Sequence, residues 1–202
     1  MAFNIESFKS RGPITGGARP TLFAVRFTVV PSGVPDATAD MEFNVTSSQL
    51  PASILGTVPV FYMGRQVNFA GDRTYQPWTI SIRNEEDFRL RDMFEGWHNK
   101  INAIVSNRQD SPTNDLVDYK VDAEVLQYGK AGPGDDSGVI RAYKFVGIFP
   151  TFVSPIQVDW EAQNRFETFD VELTYDYWVP SDTSSLGAGY NPVVAPDSNS
   201  SF

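Results

Sequence analysis

One histidine and a set of carboxylates are the side chains in this sequence that could perform acid–base or metal chemistry. His98 is the only histidine and cysteine is absent, so a thiolate nucleophile is excluded and zinc lacks its usual ligands. A Ser-His-Asp triad would have to use His98, but no nucleophile-elbow sequence is present. His98 falls off the apolar stripe of a predicted helix, where we expect a surface imidazole. The sequence therefore predicts no catalytic residue, no metal site and no cofactor.

The acidic side chains follow the alternation of strands, whereas a catalytic carboxylate pair would cluster at loop ends near aromatic residues. Between Phe166 and Trp178 polar and apolar residues alternate, so we predict one strand with an acidic face. A second strand, beginning near Tyr119, carries acids at its polar positions. The candidate acids are Asp170, Glu172 and Asp176 on the first strand, and Asp122 and Glu124 on the second.

The Asp135-Asp136 pair lies in a glycine-rich segment and could touch a cation. It lacks the staggered ligand spacing of a calcium loop, so we predict a solvated hairpin tip. No glycine-rich phosphate loop is present either.

The net charge of −9 and the pI near 4.5 argue against a protein that binds nucleic acid by neutralising its phosphates. Residues 151–202 contain eight acidic side chains and one basic side chain, Arg165, so most of the negative charge lies in the last quarter. The N-terminal residues lack the pattern of a signal peptide, and no apolar run is long enough to span a bilayer. We therefore expect no membrane anchoring.

A strand that leads into an amphipathic helix is the strongest pattern in the chain. Between Thr74 and Arg83 apolar and polar residues alternate, as in a half-buried strand. Asn84 is the predicted N-cap, and Glu85 to Asp87 place negative charge at the positive end of the helix dipole. The predicted helix has about five turns and packs against a sheet. Its apolar stripe consists of Leu90, Phe94, Trp97, Ile101 and Ile104.

The rest of the chain is predominantly β in pattern, which predicts one mainly β domain: a β-sandwich or incomplete β-barrel flanked by one α-helix. Further predicted strands are Thr21–Val30, a strand presenting Met41, Phe43 and Val45, one from Tyr119 with Val121 and Val125, and a central strand Val139–Phe149. Residues 1–20 are predicted to be an N-terminal arm, 21–178 the domain, and 179–202 a polar tail or strap.

Residues 47–64 are apolar but are interrupted by proline and glycine, which predicts a long broken loop. Such a segment is costly to expose, so it should either pack under its own domain or be buried against a partner, and we predict the partner. The predicted hairpin that follows turns at Gly71-Asp72-Arg73 into the Trp78 strand. The candidate contact residues in the segment are Leu50, Ile54, Val60 and Tyr62.

These features, taken in order along residues 21–178, resemble the tail tube proteins of contractile-tail bacteriophages. The specificity comes from the order in which short motifs occur together, because each motif alone is weak. The motifs are Gly71-Asp72-Arg73-Thr74-Tyr75, Pro77-Trp78-Thr79, the helix from Asn84 through Phe94 to Trp97, Phe149-Pro150-Thr151, Ser154-Pro155 and Tyr175-Asp176-Tyr177-Trp178.

The resemblance implies a structural, non-enzymatic subunit that forms hexameric rings with a shared inner β-barrel. The rings would stack into a hollow tube inside a contractile sheath, through which the genome enters the host. Implied partners are other copies of the chain, the sheath protein, the tube initiator of the baseplate, the tail terminator, the tape measure protein and passing DNA. The implied location is the phage virion, after assembly in the host bacterial cytoplasm.

Charge and exposure then assign roles within such a tube. An acidic wall repels phosphate, so DNA slides without sticking. We expect either the Asp170, Glu172 and Asp176 row or the Asp122 and Glu124 pair to face the lumen. The 47–64 segment and the two termini are expected to make the ring-to-ring contacts.

Two alternatives remain at this stage. One is a tube initiator of the baseplate or the tube protein of a type VI secretion system. The other, from a different class, is a carbohydrate-binding or hydrolytic β-sandwich, since acids and four tryptophans are present.

Overall fold

The computed structural model describes residues 17–109, 118–130 and 138–181, and its architecture is mainly β, as predicted. The predicted N-terminal arm falls mostly outside these residues, as do the Asp135-Asp136 turn and the polar tail beyond Ser181. In chain order the elements are β1 (Phe23–Phe27), α1 (Thr38–Asn44), β2 (Val45–Ser48), β3 (Ile54–Tyr62), β4 (Arg65–Thr74), β5 (Trp78–Arg83), α2 (Arg89–Ile101), β6 (Val121–Tyr128), β7 (Val139–Val153), β8 (Thr168–Thr174) and β9 (Tyr177–Ser181).

Apart from β3 and β4, which pair with each other, the strands form two antiparallel sheets that share the long strand β7. The first sheet has the order β1-β6-β7-β9 and uses residues 139–148 of β7. The second sheet has the order β7-β8-β5-β2 and uses residues 149–153 of the same strand. The change of sheet occurs beside Gly147, which has a φ of 68° and whose N–H donates to Asp122 Oδ1 at 3.2 Å.

Aromatic side chains from both sheets and from α2 fill the core. Trp78 of β5 stacks on Phe145 of β7 with ring centroids 4.3 Å apart. Phe27 of β1 lies 6.3 Å from Phe94 and 6.3 Å from Trp97, both on α2. The Trp97 indole N–H donates to Tyr119 O at 2.8 Å, so the one polar atom of this buried ring is satisfied.

The amphipathic helix exists, but it is shorter than predicted at both ends. Asn84 does not cap it, because its backbone N–H donates to Glu167 O at 2.9 Å and extends the β5–β8 pairing. The chain then turns through Phe88, at a φ of 56°, and the helix begins at Arg89. It ends at Ile101, which leaves Ile104 87% exposed rather than on the buried stripe.

The prediction of a strand through Met41, Phe43 and Val45 is wrong, because these residues span a helix and the start of β2. In α1 Met41 is fully buried, whereas Phe43 is 81% exposed, so the period-two pattern does not describe one buried face. Tertiary contacts hold this short helix, since Arg26 of β1 donates to Glu42 Oε1 at 3.1 Å. The domain therefore contains a second helix.

Residues 54–74 form a β-hairpin of two long strands, so the prediction of a broken loop is also wrong. β3 pairs with β4 along its whole length, and the turn lies at Met63-Gly64. Gly71-Asp72-Arg73 is not the turn; it lies inside β4, at an irregularity in the pairing. A Cβ on Gly71 would lie 3.0 Å from Gly56 C, so glycine lets the two backbones approach closely there.

Within the described residues, neither helix has the length and apolar character needed to cross a bilayer.

Candidate functional site

The outer face of the second sheet carries two exposed acids. Asp170 and Glu172 alternate along β8 with the buried residues Phe169, Val171 and Leu173. The Ser81 hydroxyl on β5 donates to Asp170 Oδ1 at 2.5 Å, while Thr79 lies beside Glu172 in the register. Among the ion pairs of the described residues, neither carboxylate takes part. This face is therefore polar, negatively charged and open to solvent.

Asp176 does not continue this row, and the prediction of one strand from Phe166 to Trp178 is wrong. β8 ends at Thr174, and the chain crosses to β9, which pairs with the other half of β7. The reason is local: the Asp176 N–H donates to Val146 O at 3.0 Å, and its carboxylate oxygens accept from Lys120 Nζ at 2.7 and 2.8 Å. Asp176 is therefore an ion-paired residue at the bend of β7.

Asp122 and Glu124 lie on the first sheet and face a basic neighbour. Lys144 Nζ lies 2.9 Å from Asp122 Oδ2, and this hydrogen bond raises the pKa of Lys144 above its usual value. Glu124 pairs with Lys144 in the register of β6 and β7, and with Arg26 of β1 on its other side. The five candidate acids therefore do not form one row: Asp170 and Glu172 lie on the second sheet, Asp122 and Glu124 on the first, and Asp176 between β8 and β9. Among the described residues, only the pair on β8 has no basic residue in an ion pair or directly opposite in the register.

The hairpin of β3 and β4 exposes an apolar face. Alternation along the strands and their register place Val58 opposite Phe69 and Val60 opposite Val67 on this face. These four side chains are 47% to 57% exposed. The opposite face carries the pairs Thr57–Ala70, Pro59–Asn68 and Phe61–Gln66, and is more polar. A two-stranded hairpin with an uncovered apolar face is typical of an interface, since isolated hairpins are marginally stable in water.

The predicted contact residues of the hairpin fall at different places. Ile54, Val60 and Tyr62 share the apolar face of β3 by alternation, with Ile54 half-buried at the base and Tyr62 69% exposed near the turn. Leu50 precedes the strand and is 47% exposed. The base is tied to the domain by the Trp178 indole, whose N–H donates to Ala52 O at 3.1 Å.

The other predicted signature residues divide between the core and the hairpin. Trp78, Phe94 and Trp97 are buried, and the Trp78 indole N–H donates to Ser48 Oγ at 3.1 Å at the end of β2. Asp72 and Arg73 are exposed on β4. Their positions are consistent with packing and surface roles.

Each edge strand of the second sheet lacks a partner strand on its outer side in the described part of the chain. Among the described residues β2 pairs only with β5, and residues 149–153 of β7 pair only with β8. Unpaired edges present free N–H and C=O groups that can pair with another chain. The sequence pattern could not reveal this feature, because it depends on the order of strands in space.

Sequence reasoning also missed two partly or fully buried polar side chains on α2. His98 is half-buried rather than on the surface, its Nε2 has no hydrogen-bond partner among the described residues, and burial lowers its pKa. Lys100 is 7% exposed, and its Nζ donates to Ser32 O at 2.6 Å and lies 3.1 Å from Asp118 Oδ2. Within the described residues, no group of three or more potential ligands is arranged to hold a metal ion.

Comparison with known proteins gives a consistent result. The model of the phage tail tube protein family matches residues 18–181. The tail tube protein gp19 of Enterobacteria phage T4 is 33% identical over 162 residues, which cover 80% of this chain and 90% of that protein.

Two solved structures share the fold. A chain of the sheath/tube terminator of an extracellular contractile injection system, PVC, superimposes with a TM-score of 0.57 at 15% identity, covering 82% of this chain and 97% of that chain. A chain of the PVC sheath-tube complex in the extended state gives a TM-score of 0.53 at 16% identity, covering 89% and 99%. The family match over most of the chain and the identity to the phage T4 protein confirm the resemblance seen in the sequence: the chain belongs to the phage tail tube protein family.

Proposed function

We propose that the protein is the non-enzymatic structural subunit of a phage tail tube, in which hexameric rings stack into a hollow conduit. The observation that carries this proposal is the second sheet, with its two unpaired edges and its exposed acidic face. Pairing β2 of one subunit with residues 149–153 of the next subunit would give each edge a partner strand, with Pro150 as the one position that has no N–H to donate. Repeated around a ring, this pairing closes the sheets into one barrel without edges.

The charge of the second sheet supports its placement on the inside. Asp170 and Glu172 would line the lumen, where their negative charge repels the phosphates of passing DNA. Asp122, Glu124 and Asp176 fit the lumen less well, since Lys144 and Lys120 lie beside them.

The hairpin supports stacking. Its apolar face is uncovered in the single subunit, and burying it against the next ring removes apolar surface from water. Leu50, Ile54, Val60 and Tyr62 would belong to or border this ring-to-ring contact.

The partners of such a subunit are other copies of itself, the tail sheath protein, the tube initiator of the baseplate and the terminator, with the tape measure protein and DNA inside. The names of the PVC complexes, which mention sheath, tube and terminator, support the sheath protein and the terminator as partners. The protein would reside in the virion after assembly in the host bacterial cytoplasm.

Electron microscopy of the purified chain tests the proposal. Long hollow tubes of stacked rings are the expected result. Monomers without higher assembly, at concentrations and in salts that support tubes of related proteins, would contradict it.

A further inference from the structure

A second exposed apolar surface lies in the loop between β7 and β8, at residues 154–167, called here the Trp160 loop. Three of its large apolar side chains, Val158, Trp160 and Phe166, are 81%, 102% and 74% exposed. Exposed aromatic residues grouped in one loop are typical of an interface.

The Trp160 loop has a defined conformation and borders a cleft. The Asp159 carboxylate accepts from the Glu161 N–H at 2.9 Å, and Ser154 O accepts from Arg91 Nη1 of α2 at 2.7 Å. The Arg83 guanidinium lies 5.3 Å from the centroid of the Phe166 ring. Beneath these residues is an open cleft of about 600 Å³. The loop therefore presents a shaped surface.

The topology places the loop and the hairpin at opposite ends of the second sheet. The hairpin lies between β2 and β5, so it leaves the sheet at the end where Trp78 pairs with Leu173. The Trp160 loop enters β8 at Thr168, which pairs with Arg83 at the other end of β5. In a head-to-tail stack of identical subunits, each end with a hairpin meets an end with a Trp160 loop. Such heterologous contacts generate open filaments.

The charges of the two surfaces are complementary. The hairpin carries Arg65 and Arg73 against one acid, Asp72. The Trp160 loop has the opposite balance, with three acids against one basic side chain: Asp159, Glu161 and Glu167 against Arg165. Opposite charges at the rim favour the correct pairing and disfavour contact between two hairpins or two loops.

The length of the hairpin suits contact with another subunit. Nine residues of β3 extend about 30 Å at the usual rise of a strand, and its exposed part leads away from the domain. We propose that the Trp160 loop is the receptor for the apolar hairpin face of a second copy of this chain in the adjacent ring. This inference rests on the proposed stacking of rings and names the surface that receives the hairpin.

Thiol cross-linking tests the pairing directly, because the chain has no cysteine of its own. The double variant Val60→Cys/Trp160→Cys places one thiol on each proposed surface. With a short bismaleimide, assembled tubes of this variant should give a ladder of covalent multimers on denaturing gels. The matched control is Asn68→Cys/Trp160→Cys, whose hairpin thiol lies on the opposite face and should give no ladder.

The outcomes separate this inference from the function on which it rests. Tubes without a ladder would overturn the pairing and leave ring stacking intact, whereas a failure of the unmodified chain to form tubes would overturn the stacking itself. A second variant, Trp160→Asp, should raise the concentration needed for tubes at least tenfold while single rings persist. Its control is Val105→Asp, which changes an equally exposed apolar residue outside the loop. If these two variants need the same protein concentration to form tubes, the pairing of the hairpin with the Trp160 loop is also overturned.

Discussion

Placing charge on the apolar face of the hairpin should stop rings from stacking while leaving the domain folded. The perturbation is Val60→Asp/Val67→Asp, which changes two side chains that lie directly opposite each other in the β3–β4 register. Both are about half exposed in the single subunit, at 47% and 48%, so this exposed half of each side chain can be buried on assembly.

The size of the effect follows from this exposure. Full burial of such a side chain stabilises by about 1.5–3 kcal/mol, so burying the exposed half contributes about 1 kcal/mol each. The double variant loses roughly 2 kcal/mol per hairpin, or roughly 12 kcal/mol over a hexameric ring, before the cost of desolvating the new carboxylates. Even a quarter of that loss raises the protein concentration needed for tube formation about a hundredfold.

The assay is sedimentation of tubes over a concentration series, with microscopy of the pellet and supernatant. Thr57→Asp/Asn68→Asp is the matched control, because it adds the same charges to the opposite face of the same hairpin. We expect rings in the supernatant for the first variant and normal tubes for the control. Normal tubes from the Val60/Val67 variant, or equal loss in both, would refute the assignment of the apolar face.

Three further changes test the domain and its assembly. Gly147→Ala should destabilise by roughly 2 kcal/mol in urea unfolding, because φ is 68° and the new Cβ would meet the Asp176 carboxylate; an unchanged midpoint would contradict the role of the bend. Since burial lowers the pKa of His98 below 6.5, the unfolded chain binds the proton first, so stability is full above pH 6.5 and falls as the pH drops below it. His98→Gln should flatten that part of the stability profile, and an equally steep profile in the variant would assign the effect to other groups. Asp170→Lys/Glu172→Lys should leave tube formation intact but make tubes retain DNA at low salt, while tubes that bind no more DNA than the wild type would argue against a lumenal position.

Strands with one buried face were predictable because their alternation reflects burial. β5, β6 and β8 follow this rule, and the stripe from Leu90 to Ile101 likewise predicted α2. The boundaries of α2 were not predictable, since Asn84 pairs with Glu167, a residue 83 positions away that no local pattern reveals.

Two elements escaped prediction for different physical reasons. The helix α1 is too short for a 3.6-residue period to show, and contacts such as Arg26 with Glu42 decide its conformation. The hairpin has no buried face within the subunit. In β3 apolar residues occupy both faces, and Pro59 and Gly56 suggested interruptions, so its sequence lacks the usual in–out signal of a strand. The position of Asp176 apart from Asp170 and Glu172 was also not predictable. The alternation in the sequence cannot show that Asp176 forms an ion pair with Lys120, a residue far away in the chain.

A cryo-electron microscopy reconstruction of the assembled tube is the most direct measurement. It should show β2 of each subunit hydrogen-bonded to residues 149–153 of its neighbour, in one continuous inner barrel with Asp170 and Glu172 facing the lumen. A tube wall formed by the first sheet, or a map with both of these carboxylates on the outside, would contradict the proposed function of the second sheet.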